Sequence, residues 1–61
     1  MSYTLHCKKV RETDNAILVT DTDSGEQIWF PFSQVDSMHF DRDGKGTIVV
    51  TDWIAAQKGL E

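Results

Sequence analysis

Tyr3, Leu5 and Cys7 alternate with Thr4, His6 and Lys8. A period of two puts one face of a strand into a core and the other into water. The pattern predicts a first strand from about Ser2 to Val10. The polar cluster Arg11-Glu12-Thr13-Asp14-Asn15 turns the chain, and Ala16-Ile17-Leu18-Val19-Thr20 supplies the β-branched residues of a second strand. Asp21-Thr22-Asp23-Ser24-Gly25 is the clearest loop, and it makes a hairpin with Glu26-Gln27-Ile28-Trp29-Phe30-Pro31-Phe32. Pro31 has no N–H for a ladder, so it ends the third strand or holds it at an edge. Ser33-Gln34-Val35 reads as a brief turn, Asp36 to Phe40 as extended. Asp41 to Gly46 then turns the chain into a last strand, Thr47-Ile48-Val49-Val50. Beyond it the period becomes helical. Thr51 or Asp52 caps Trp53 to Lys58, Gly59 fits the position just past the helix, and Leu60 fits the apolar contact after that.

Five short strands and one closing turn of helix predict a mainly β protein. The expected form is a small antiparallel bent sheet or barrel of the SH3-like or OB-like kind, with residues 1–61 as a single domain. Ile28, Phe30 and Phe32 would share one face of the third strand, with Trp29 on the other. A fold this small needs its large side chains inside, so Trp29 is expected to be covered, with Trp53 and Leu60 as the cover.

Composition narrows the chemistry. Sixty-one residues make one domain, and no apolar run approaches the roughly 18 residues of a membrane span. Residues 1–9 lack the apolar stretch of a secretory signal, which gives the expectation of a cytoplasmic protein. The single cysteine, Cys7, has no internal disulfide partner and reads as a small buried hydrophobe. Asp41 to Asp52 partly matches a calcium loop, but Lys45 stands where an oxygen ligand belongs and the flanks read as strands. His6, Cys7 and His39 lack zinc-ligand spacing, and neither a nucleophile elbow nor a phosphate-binding glycine loop is present. The reading is a binding protein and not an enzyme, with no cofactor and no metal.

Charge suggests the partner. Ten acidic and six basic residues give a net charge of −4, and from Glu12 through Asp41 seven acids occur without one Lys or Arg. A one-signed surface attracts basic partners. The expected contacts are the loops Asp21 to Glu26 and Asp36 to Asp43. Asp21, Asp23, Glu26, Asp36, Asp41 and Asp43 would face a host protein's basic nucleic-acid-binding surface, with Trp29 and Phe32 as apolar anchors. The alternative is direct binding of single-stranded nucleic acid. Trp29, Phe30, Phe32 and Phe40 would then stack bases, while Lys8, Lys9 and Arg11 hold phosphates.

Ile28-Trp29-Phe30-Pro31-Phe32-Ser33-Gln34, then Ile48-Val49-Val50 and the closing Trp53-Ile54-Ala55-Ala56-Gln57-Lys58-Gly59-Leu60, resemble small bacteriophage accessory proteins. These share an Ile-Trp-x-Pro-x-Ser strand and a Trp-x-Ala…Lys-Gly-Leu tail, and the similarity spans residues 16–60. Phe32 stands where such proteins often carry Lys, which removes a phosphate-binding charge. The resemblance implies a viral host-takeover factor of the anti-CRISPR kind. Such a protein is a DNA mimic and stoichiometric inhibitor, monomeric or weakly dimeric, that blocks a CRISPR effector or another nucleic-acid enzyme in the host cytoplasm.

Overall fold

A computed structural model describes residues 2–60; Met1 and Glu61 lie outside the described residues. The elements are β1 (Ser2–Glu12), β2 (Ala16–Asp21), β3 (Gln27–Pro31), a 3-10 turn (Phe32–Gln34), β4 (Val35–Phe40), β5 (Lys45–Thr51) and α1 (Asp52–Gln57). The five strands form one antiparallel sheet in the order β3-β2-β1-β5-β4. β1 belongs to two ladders. Residues 2–8 pair with β5 and residues 7–12 with β2, so only Cys7 and Lys8 are shared.

Alternation delivers the core. Leu5, Cys7, Ile17, Val19, Ile28, Phe30, Ile48 and Val50 point inward from the strands, and Ile54 and Ala55 close the cluster from α1. Their register is consistent: Leu5 lies opposite Ile48, Ile17 opposite Phe30, and Val19 opposite Ile28. Where the two ladders meet, side chains must be small. Cys7 is 1% exposed and faces Gly46, whose other neighbour is Phe40. A Cβ on Gly46 would overlap the His39 carbonyl oxygen and lie 2.9 Å from the Phe40 Cα. Those are backbone atoms of a paired strand, which cannot rotate away.

Two irregularities adjust the alternation. In β1, Lys9 is opposite Val19 and Arg11 opposite Leu18, which leaves Val10 as an extra residue. A bulge of this kind reverses the facing of everything after it. Lys9 and Glu12 thereby reach the same side, where the Lys9 ammonium donates to Glu12 Oε1 at 2.7 Å. In β4 the extra residue is Asp36, between Val35 and Ser37.

The helix is short and well stopped. Thr51 is its cap, its hydroxyl oxygen accepting from the Ile54 N–H at 3.3 Å. At the other end the Leu60 N–H donates to the Ala55 carbonyl at 2.8 Å and the Gly59 N–H to the Ala56 carbonyl at 3.1 Å. Gly59 takes φ 74°, so the pattern is the Schellman termination that Gly59 and Leu60 predict.

The structure has the mainly β architecture with a C-terminal helix that the pattern predicts, with two corrections. The third strand ends at Pro31, as its missing N–H requires, but Phe32, expected on the inner face of that strand, opens the 3-10 turn instead. Trp29 is not covered: it is 36% exposed, and its intended cover, Trp53, is 60% exposed. A helix of six residues has only one apolar side, and it spends that side on Ile54 and Ala55. Nothing remains to roof the outer face of β3.

Urea denaturation checks the packing. Gly46→Ala should lose about 1–3 kcal/mol through forced backbone displacement. Thr51→Ala should lose about 1 kcal/mol by uncapping α1. An unchanged midpoint for Gly46→Ala would contradict the close approach of β4 to β5.

Candidate functional site

The carboxylates expected to form one docking patch do not gather. Asp21 is only 9% exposed, and its Oδ1 accepts the Asp23 N–H at 2.8 Å while its backbone carbonyl accepts the Gly25 N–H at 2.8 Å. It builds the β2–β3 loop from inside and is not a free contact residue. Asp41, which is itself exposed, also holds its turn together: its Oδ1 accepts from the N–H groups of Asp43 at 2.9 Å and Lys45 at 3.0 Å in the β4–β5 turn. Glu12 is engaged by Lys9. Of the six expected contact carboxylates, Asp23, Glu26, Asp36, Asp41 and Asp43 are exposed.

The two acidic loops are also separated. Thr22 of the β2–β3 loop donates its N–H (3.3 Å) and hydroxyl (3.1 Å) to the His6 carbonyl, on the β2 side of β1. The β4–β5 turn attaches on the β5 side, where the Gly44 carbonyl accepts the Lys9 N–H at 2.7 Å. The loops flank the central strand from opposite edges and run along it in opposite directions.

Of the expected aromatic contacts Trp29 is the most exposed, and Phe32 and Phe40 are partly buried. Phe30 is fully buried at 0% exposure, and Phe32 and Phe40 pack against the core cluster.

A different surface is assembled by the ladders. On the outer face of the sheet, Lys8 lies opposite Thr20, and Thr20 opposite Gln27. The next row is Arg11, Leu18 and Trp29. Arg11 reaches this face because of the bulge at Val10; in uninterrupted alternation it would share the inward facing of Leu5 and Cys7. Its guanidinium carbon lies 5.5 Å from the centroid of the Trp29 ring, within cation–π range. Leu18 sits between them in register and is only 9% exposed, although it lies outside the core cluster. Arg11 and Trp29 roof it from outside.

No Asp or Glu occupies an outward register position on these three strands. On the neighbouring ladder, Lys45 lies directly opposite Lys8. Like charges placed opposite one another cost stability unless something negative lies between them. Asp41 pairs with Lys45 from its far side but commits one carboxylate oxygen to the turn. Lys45 escapes a reading from sequence because it stands beside glycines in an apparent turn. Ile48 and Val50 face inward, so alternation in β5 puts Gly46 inward and Lys45, of the opposite parity, outward.

Among the described residues no three His, Cys, Asp or Glu side chains converge on a metal position, and no helix is long and apolar enough to cross a membrane. The calcium-like residues form the β4–β5 turn, β5 and, at Asp52, the start of α1, and His6 faces away from Cys7. No protein-family model, curated protein or solved structure matches the chain.

Burial pushes the Cys7 thiol up to about 11, with the nearby Asp21 carboxylate adding to the rise. A raised value means that the folded state favours the neutral thiol. This contribution is fully present below the unfolded value near 9 and is lost as pH rises toward 11. Denaturation midpoints should therefore fall between pH 9 and 11, and Cys7→Ala should flatten that slope. The folded protein should also resist thiol reagents at pH 8. Labelling at the rate of a free thiol would contradict both.

Proposed function

We propose that the protein binds nucleic acid through the outer face of β1, β2 and β3. The observation that carries this reading is the sorting of charge: among the described residues Lys8 and Arg11 share with the exposed Trp29 a face on which no Asp or Glu holds an outward register position, and Lys45 stands opposite Lys8 with no ion pair to either lysine. Phosphate is the chemistry that relieves two opposed lysines, and an aromatic face beside them suits bases. A net charge of −4 argues against this only if the acids share the surface. Among the described residues, Asp14, Asp23, Glu26, Asp41 and Asp43 lie in the connections between strands, Asp36 lies on β4 and Asp52 on α1, and Glu12 and Asp21 hold no outward register position on β1 or β2.

Docking of acidic loops on a basic host protein, as an anti-CRISPR protein would do, finds less support. It needs a coherent negative patch, whereas Asp21 and Asp41 are engaged in turns and the two loops flank β1 from opposite edges. The face reading is equally compatible with a bacteriophage accessory role.

Fluorescence anisotropy with a labelled oligonucleotide at low salt tests the proposal. Three phosphate contacts give an expected slope of log K against log salt of about −2, from roughly −0.7 per contact on a single strand. Replacing both Lys8 and Lys45 by Glu should abolish binding. Reversing Asp23 and Glu26 to Lys should leave it intact or strengthen it. Binding lost in the second variant but kept in the first would overturn the assignment to this face.

A further inference from the structure

We infer that the ligand is a single strand and that one of its bases inserts between Arg11 and Trp29. This rests on the nucleic-acid reading of the face and adds which form of nucleic acid it takes and by what contact.

Three observations lead to it. First, the Arg11 guanidinium already lies over the Trp29 ring at 5.5 Å. Guanidinium planes stack on aromatic rings and on bases alike, so in the free protein Arg11 holds the position a base would take. A base entering there has Trp29 on one side, and Arg11 is free to cover its other side or to take the adjoining phosphate. Second, the contact is built and not incidental. The bulge at Val10 turns Arg11 outward, the register aligns Arg11 with Leu18 and Trp29, and the buried Leu18 gives the pair an apolar floor. Third, shape selects against duplex. The outer side of a sheet curled around its core is convex, and a convex face meets a duplex cylinder at few phosphates. A duplex also keeps its bases stacked inside. A flexible strand can follow the curvature and offer bases to Trp29, with Lys8 and Lys45 set along the neighbouring row as phosphate contacts.

Two tryptophans are present, so the test uses a Trp53→Phe background in which Trp29 is the sole indole. Emission is followed during titration with a thymidine oligonucleotide of about 15 residues, a length that spans one small barrel. Parallel titrations use a duplex of equal charge and inorganic polyphosphate. Single strand should quench Trp29 saturably, polyphosphate should bind without quenching, and duplex should bind more weakly than single strand. In the same assay read by anisotropy, Trp29→Leu keeps an apolar roof over Leu18 but removes the stacking plane, and it should weaken single-strand binding about ten-fold. Trp29→Phe should recover part of the loss. Single strand bound without quenching, together with an unaffected Trp29→Leu variant, would overturn the insertion and leave the charged face as the site. Failure of all three polyanions to bind would overturn the nucleic-acid reading itself.

Discussion

β1 hydrogen-bonds to β5 along its first half and to β2 along its second, with Cys7 and Lys8 common to both ladders. Sixty-one residues are too few for two complete sheets, so one strand serves both and the sheet bends around a cluster of ten buried side chains. The bend explains why the residues at the crossing are small. Cys7 faces Gly46, and Gly46 lies against the backbone of β4. A domain of this size has roughly 3–9 kcal/mol of stability at the usual 0.05–0.15 kcal/mol per residue. Removing the Phe30 ring would cost about 3–5 kcal/mol, a comparable sum. The interior is therefore wholly committed to holding the fold, and any partner must be met on the outside.

The outside has two electrostatic characters because turns and strands ask for different residues. A turn needs a short side-chain oxygen that accepts nearby amides, which Asp21 and Asp41 supply. An outward strand position asks for a side chain whose methylenes lie along the sheet while its head stays in water, which suits Lys8 and Arg11. Net charge averages over both and describes neither. Screening decides which is felt. The molecule measures 28 × 26 × 17 Å, whereas charges are screened over about 10 Å at 0.1 M salt. A phosphate at Lys8 responds to Lys45 one strand away, and to Asp41 on the far side of Lys45, more than to charges beyond that range.

The fold was legible where a single local rule decided it. Alternation at Tyr3, Leu5 and Cys7 placed β1, Pro31 ended β3, and Thr51, Gly59 and Leu60 bounded the helix. Trp29 was legible only in part: alternation set it opposite in facing to Ile28 and Phe30, but whether it was covered depended on what α1 could reach. The proposed face was harder to see because it is made by register. Lys8 and Lys45 are 37 positions apart in the chain and meet only across a ladder, and Arg11 faces outward only because Val10 is an extra residue. Bulges leave no reliable mark in composition. The charge run from Glu12 to Asp41 was conspicuous in sequence, but proximity along the chain is not proximity on a folded surface: its two acidic loops attach on opposite sides of β1.

The proposed face also sets the scale of its own affinity. An exposed cation–π contact is worth about 0.5–1 kcal/mol, and stacking a base on an aromatic ring about 1–3 kcal/mol. Exchanging Arg11 for a base on Trp29 is therefore a modest gain, and it improves if Arg11 moves to a phosphate. Three cations add attraction that weakens steeply as salt rises. Together these terms describe weak, non-specific and fast-exchanging contact. A surface of that kind becomes effective when several copies share one strand, or when a partner tethers it near one, because linked sites multiply affinity without new contacts. That favours an accessory role, acting beside a protein that already holds the strand, over a role as a stand-alone binder.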